Sequence, residues 1–453
     1  MENSKELDTF ANAPVKKAVL SNAIPAMVAM LLVLIYNLAD TYFIGLTRDD
    51  MQVAAVSLAT PVFLLFMSVG TIFGIGGTSA ISRALGEGKK EYAKKVSSFC
   101  MWSCVVVGII MSALFLIFMD PILGIIGASA ETWDLTKTYL TIVCYSGPFV
   151  LISNCFSNIL RAEGQSGKAM MGQVLGNLTN IVLDPIMILT LGWNISGAAI
   201  ATVIGNVVGA VYYILYYARG KSSLGVSLKN FTVKDNVASG VLSIGIPAAL
   251  GSLLMSVSNI LMNVEMAQYG DMVVAGVGVA MKVTMITGMI CIGLGQGIQP
   301  LLGFCVGAIN WNRYKAVLRY SLKFAFILSA VLTVLCYIFT NQIVGVFLTG
   351  DEALSYGISF TRIYLCTSVL FGVYYVIVNA LQASGAAKES LIANISRQGL
   401  IYIPFMFILG AIFHETGLIW AQPVADVISF ILTIVLYYRR SKKLHREIKH
   451  AAT

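Results

Sequence analysis

AVLSNAIPAMVAMLLVLIYNLADTYFIGL, residues 18–46, holds one acid, Asp40, and no basic residue. At about 1.5 Å per helical residue this stretch more than spans a hydrocarbon core of about 30 Å, so it reads as a membrane-crossing helix. Eleven further runs follow at roughly 53–82, 96–119, 136–160, 169–191, 194–218, 238–268, 273–305, 316–340, 358–382, 389–413 and 415–438. Only 11% of the 453 residues are charged, against about 25% in soluble domains. Mean hydropathy is +0.81. The chain is therefore expected to be an all-α integral membrane protein with twelve transmembrane helices.

The net charge of +8 invites a nucleic-acid partner, but its distribution argues against one. On the twelve-span reading about 25 of the 30 lysines and arginines fall on one side: the N-terminal tail, 83–95, 161–168, 219–234, 313–323, Lys388 and the tail from Arg439. Positive charge is retained in the cytoplasm, which places both termini there. The first run is too long for a signal-peptide core and is not followed by a small-residue cleavage site. The eight cysteines lie in apolar runs without a CxxC, so they read as small hydrophobes and not as metal or redox sites. With no nucleophile–base pair, metal cluster or soluble catalytic domain, the sequence offers nothing for an enzyme.

The chain repeats at an offset of about 220 residues. LSNAIP at 20–25 returns as LSIGIP at 242–247, VAAVSLA from Val53 as VAGVGVA from Val274, and GIGG at 74–77 faces GQGI at 295–298. LRAEG at 160–164 returns as LQASG at 381–385, and YYAR at 216–219 as YYRR at 437–440. Two six-helix bundles are expected, 1–218 and 238–453, joined by a polar, basic cytoplasmic linker at 219–237 that reads as a hinge. An even number of spans inserts both halves the same way, which implies a pseudo-two-fold axis along the membrane normal. The glycine clusters follow no strand and lead into no Lys-Ser or Lys-Thr, so they read as sites of helix bending or close packing.

Intramembrane charge marks function by default, because it is expensive in hydrocarbon. Asp40 and Tyr36 are four apart on one face of the first span. Asn177, Asn180 and Asp184 follow i, i+3, i+7 spacing on the fifth. Thr202 matches them in depth, whereas Asn154 and Asn158 share a face deeper in the fourth span. Two carboxylates in low dielectric hold a proton between them or bind a cation, with Asn, Thr and Tyr oxygens completing the shell. Hard oxygen ligands suit Na⁺, and no transition-metal ligand set is present. The structural alternative is that Asp184, directly before Pro185, bonds a broken helix and Asp40 caps a turn near Gly45. Pro25 should weaken the first helix, either as a static kink or as a bend that follows the charge of Asp40. In the second half Glu265 and Lys282 are expected to meet, as a structural ion pair or as part of substrate handling. Asp426 and Arg397 read either as structural glue or as functional charges.

Twelve spans in two halves, Asp40 in the first, Asn180 and Asp184 in the fifth, and LRAEG after the fourth together resemble the multidrug and toxic compound extrusion (MATE) transporters, closest to the bacterial DinF/MepA-like branch. The resemblance covers nearly the whole chain. It implies a V-shaped pair of bundles, a monomer in a bacterial inner (plasma) membrane, and cation-driven (H⁺ or Na⁺) export of amphipathic, often cationic organic compounds by alternating access. It implies a cation site at Asp40, Asn180, Asp184 and Thr202, with Tyr36 and Asn154 beside it, and no cofactor besides the coupling ion. Glu265 resembles an acid of the seventh span used in another branch, but the tenth-span acid of that branch is missing here, where Tyr375 and Asn379 are the polar residues. The alternative is a lipid-linked oligosaccharide flippase of related fold. Such a protein is expected to need a strongly cationic cavity, and only Lys282, Arg362 and Arg397 are intramembrane cations.

Overall fold

The computed structural model describes residues 8–220, 222–348 and 350–451, and among these no strand occurs. The helices are α1 (Val15–Gly45), α2 (Asp50–Gly86), α3 (Lys90–Ile117), α4 (Met119–Ile125), α5 (Trp133–Cys144), α6 (Gly147–Ala162), α7 (Ser166–Asp184), α8 (Asn194–Ala218), α9 (Val237–Ala267), α10 (Asp271–Gly307), α11 (Trp311–Ile338), α12 (Thr340–Phe347), α13 (Asp351–Ala383), α14 (Ala387–Ile395) and α15 (Tyr402–Ala451). A π-helical turn extends α7 over Pro185–Thr190, and another extends α14 over Ser396–Leu400.

Among the described residues ten helices are long and apolar enough to cross a membrane, and α5 with α6 make an eleventh span bent by 56°. The bend falls at Tyr145-Ser146, just before Pro148 in the first turn of α6, where its missing N–H leaves no helical bond unmade. The twelfth crossing comes from a break in the last helical stretch. His414 has φ 56° and ψ −139°, which no continuous helix accommodates. A Cβ built on Gly410 would lie 2.7 Å from Leu418 Cδ2, although residues eight apart in a straight helix stand about 12 Å apart. The chain therefore doubles back at His414, giving the expected twelve spans.

By internal packing the chain forms two units. The first holds Val28–Gly245 with the stretch up to Asn12, and the second holds Ala13–Met27 with Ile246–Thr453. Helices α1 and α9 thus each begin in one unit and end in the other, and the changeovers lie beside Pro25 and Pro247. Glycine makes these transfers possible. In the first unit Gly76 of α2 faces the Val241 carbonyl of α9, and Gly245 faces the Ile72 carbonyl. In the second, Gly293 and Gly297 of α10 leave only 2.7 Å between a built Cβ and the α1 backbone at Met27 and Ala23. The GIGG and GLGQG clusters are close-packing sites.

The outer faces are apolar. Val106, Ile109, Ile110 and Ile117 of α3 are exposed, as are Phe326, Ile327, Val331 and Val334 of α11. Helical spacing sets them on lipid-facing sides, while Ser97, Ser98, Ser321 and Ser329 of the same helices turn inward and are buried.

Of the linker at 219–237, expected as a hinge, residues 222–235 are fastened along the first unit. Ser98 Oγ donates to the Gly225 carbonyl (3.1 Å) and Trp102 Nε1 to the Val226 carbonyl (3.1 Å). Phe231 stacks on Phe99, and Lys95 pairs with Asp235 at 2.8 Å. Glu163, 3% exposed at the end of α6, anchors the start of this segment. Its carboxylate accepts from Tyr217 Oη (3.0 Å), Ser222 Oγ (2.6 Å), and the Ser223 amide and hydroxyl (both 3.1 Å).

Candidate functional site

The first unit's polar centre is built on the contact between α7 and α8. A Cβ on Gly176 would lie 2.8 Å from the Gly205 carbonyl, and one on Gly205 the same distance from the Gly176 carbonyl. With the backbones this close, short side chains bridge the helices. The Asn180 amide satisfies both neighbours when its nitrogen donates to Asp184 Oδ2 (3.1 Å) and its oxygen accepts from the Thr202 amide (3.1 Å) and hydroxyl (3.3 Å). Tyr36 of α1 lines the same cavity as Asn180 and Thr202, and Tyr139 of α5 is buried near this centre.

Asp184 is fully buried, and its Oδ1 has no hydrogen-bond partner. Asp40 Oδ1 is likewise buried and unpartnered. α1 runs as helix through Asp40 to Gly45, so there is no turn at Asp40 for it to cap. Asp184 does sit where α7 changes to π geometry ahead of Pro185, yet its Oδ2 faces the Asn180 side chain, not the broken backbone.

A cavity of about 70 Å³ adjoins this centre, lined by Tyr36, Asn154, Gln173, Asn177, Asn180 and Thr202 among others. Asn154 also donates to the Met67 carbonyl of α2 at 3.2 Å. Asn158 stands apart from the cavity lining, and its Oδ1 accepts from buried Arg161 at 3.0 Å. Sequence reasoning missed Gln173, Asn206 and Tyr139. Gln173 lies four before Asn177 and Asn206 four after Thr202, so extending each polar stripe by one turn would have found them. Tyr139 carries no such signal.

The second unit has a different centre. Arg397, on the π turn after α14, donates from Nε to Asp426 Oδ1 (2.7 Å) and from Nη1 to Tyr375 Oη (3.0 Å). Asp426 also accepts from Gln422 Nε2 (2.8 Å) and Thr367 Oγ1 (2.9 Å). The guanidinium lies 4.3 Å from the Phe371 ring centroid. Both halves therefore interrupt the same span with a π turn, but one centre carries two acids and the other a closed ion pair.

Glu265 and Lys282 do not meet as expected. Lys282 Nζ lies 5.7 Å over the Phe347 ring, and the Glu265 carboxylate takes the Gln268 amide at 3.3 Å. Helical side-chain direction turned them to separate cavities, Lys282 beside Arg397 and Glu265 beside His414. Among the described residues no group of His, Cys, Asp and Glu is arranged to hold a metal ion.

Comparison with known proteins agrees with this architecture. The MatE family profile matches twice, over residues 25–186 and 247–408, once in each half. A Staphylococcus aureus (strain MSSA476) relative named multidrug export protein MepA is 32% identical over 434 residues, 96% of each chain. A crystal structure of MATE in complex with MaL6 superposes with a TM-score of 0.93 at 25% identity, covering 98% of this chain and 99% of that one. An outward-facing multidrug resistance MATE family transporter of the MOP superfamily gives 0.91 at 25% identity, over 96% and 98%. A duplicated family match, a full-length relative and the shared twelve-span fold lead to one conclusion: this chain belongs to the MatE (MATE) family of membrane transporters.

Proposed function

We propose that the protein is a cation-coupled multidrug efflux antiporter, with H⁺ or Na⁺ as the coupling ion, and that both termini face the cytoplasm. The observation that carries this reading is the pair of buried, unpartnered carboxylate oxygens, Asp40 Oδ1 and Asp184 Oδ1, with Asp184 held against the Asn180–Thr202 bridge. Two buried acids with vacant lone pairs favour the arrival of one positive charge. A proton satisfies them as a shared donor, and Na⁺ does so with the Thr202 and Tyr36 hydroxyls as further hard ligands. Loading Asp40 on α1 and Asp184 on α7 alters what holds these two helices together, and this is the step by which the ion biases one access state over the other. The exported compounds are amphipathic organic molecules, a reading in keeping with a relative named multidrug export protein MepA. One charge falling through 100 mV releases about 2.3 kcal/mol, enough for a substrate gradient of roughly 40- to 50-fold.

The test is dye efflux from proteoliposomes under separately imposed pH and Na⁺ gradients. Asp40→Asn and Asp184→Asn should each abolish gradient-driven efflux while the protein keeps its thermal unfolding profile. Full efflux in both variants would overturn the assignment of these two residues as the coupling site.

A further inference from the structure

The second unit contains a cavity of about 200 Å³ whose lining differs in charge from the polar centre of the first. Four methionines, Met255, Met281, Met285 and Met289, supply its flexible apolar walls. Lys282 and Arg397 line it as well, and no acidic side chain is among its lining residues. Asp426 lies behind Arg397, held by Arg397 Nε, Gln422 Nε2 and Thr367 Oγ1, so its charge is spent on the ion pair. Lys282 is exposed and contributes one uncompensated positive charge at the cavity wall. Asn259, Gln398, Gln422 and Tyr375 add hydrogen-bonding groups around it.

We propose that this cavity is a binding site for small aromatic carboxylates, a ligand class opposite in charge to the coupling ion assigned to the first unit's acids. A cavity of about 150 Å³ is enough for benzene, so one of this size takes one or two rings but not a phospholipid. The ring seats among the methionine side chains and Phe371, where sulfur and π-faces give favourable contacts. The carboxylate faces Lys282 and the guanidinium edge of Arg397, which is already fixed by Asp426, Tyr375 and the Phe371 ring. An oriented donor loses little freedom on binding, and in a low-dielectric wall its attraction for an anion is strong. A cation in the same place meets the uncompensated charge of Lys282.

The experiment is equilibrium dialysis of three isosteric probes, 2-naphthoate, 2-naphthamide and 2-naphthylmethylammonium, against the full-length protein in phosphatidylcholine nanodiscs, with binding to empty discs subtracted. Naphthoate should bind about tenfold tighter than naphthamide, the size of one charge-assisted hydrogen bond, and the ammonium probe weakest. Lys282→Gln should erase the preference while leaving naphthamide binding in place, and Met289→Trp should weaken both by filling the cavity. Equal affinities for the three probes, tighter binding of the ammonium, or an undiminished preference in Lys282→Gln would overturn the proposal. So would loss of the naphthoate signal on changing the disc lipid to phosphatidylglycerol, which would assign the cations to a lipid headgroup. Binding is read without transport, so failure of the coupling mechanism leaves this result standing.

Discussion

Replacing Asp426 by alanine should be among the most damaging single changes in the second unit. The carboxylate accepts three hydrogen bonds and faces an Arg397 side chain that is only 8% exposed. Its removal leaves a buried guanidinium whose remaining partners are the Tyr375 hydroxyl and aromatic faces. Breaking one side of a buried ion pair costs about 3–5 kcal/mol. At roughly 2–4 °C per kcal/mol for a body of this size, the apparent unfolding temperature should fall by about 6–20 °C. Arg397→Met should cost less, because Asp426 then keeps Gln422 and Thr367 as donors. The double variant Arg397→Met, Asp426→Leu removes both charges and should recover most of the loss, as apolar replacements of buried pairs do. The assay is fluorescence-detected thermal unfolding in detergent at one fixed heating rate, since unfolding of such proteins is commonly irreversible. Additivity of the two single losses in the double variant would refute the argument, because coupled partners must deviate from it.

Three further outcomes follow from local geometry. Glu163→Ala leaves the hydroxyls of Tyr217, Ser222 and Ser223 without their acceptor and should loosen residues 222–226, read as faster hydrogen exchange there at a cost of about 1–3 kcal/mol. Burial raises the Glu163 carboxyl above its ordinary 4.5, the hydrogen bonds opposing it only in part. Its contribution to docking is thus full below pH 4.5 and fades as pH climbs through the raised value, a slope that Glu163→Gln should remove. Gly176→Ala forces a Cβ to 2.8 Å from the Gly205 carbonyl and should destabilise the first unit by about 1–3 kcal/mol in the same unfolding assay, with efflux falling as Asn180 and Thr202 separate. His414→Gly relieves a left-handed backbone position and should leave stability unchanged or raise it by up to about 1 kcal/mol, whereas a β-branched residue there should lower it.

The spans were legible because lipid demands long apolar runs, and the run from residue 18 already showed that. The break at 414 was legible for the same reason, since His414 and Glu415 interrupt an apolar stretch. The 56° bend between Cys144 and Gly147 is marked by the proline that follows it, Pro148, but its angle depends on what α6 packs against. Among the candidate residues, Asn177, Asn180 and Asp184 stood out as a polar stripe on one helix, a pattern that needs no partner to be seen. The Arg397–Asp426 pair did not, because its members lie on different helices with the His414 reversal between them. Glu265 and Lys282 share a similar depth but do not face each other, because side-chain direction is decided by the packing of each helix. The exchange of helix starts between the units left no sequence trace except the paired prolines and glycines, whose role only tertiary contact reveals.

That exchange has a bearing on how such a chain is assembled. A half-length ancestor ending before residue 237 would have lacked the strip that covers Gly76 of α2, and its own first turns would have had no α10 to cover. Two copies of such a chain would complete one another by trading those strips, which is domain swapping, and fusing them would turn a trade between molecules into an intramolecular one. A modern chain severed within residues 219–236 should accordingly reconstitute from two co-expressed pieces, and neither piece alone should accumulate as a folded body.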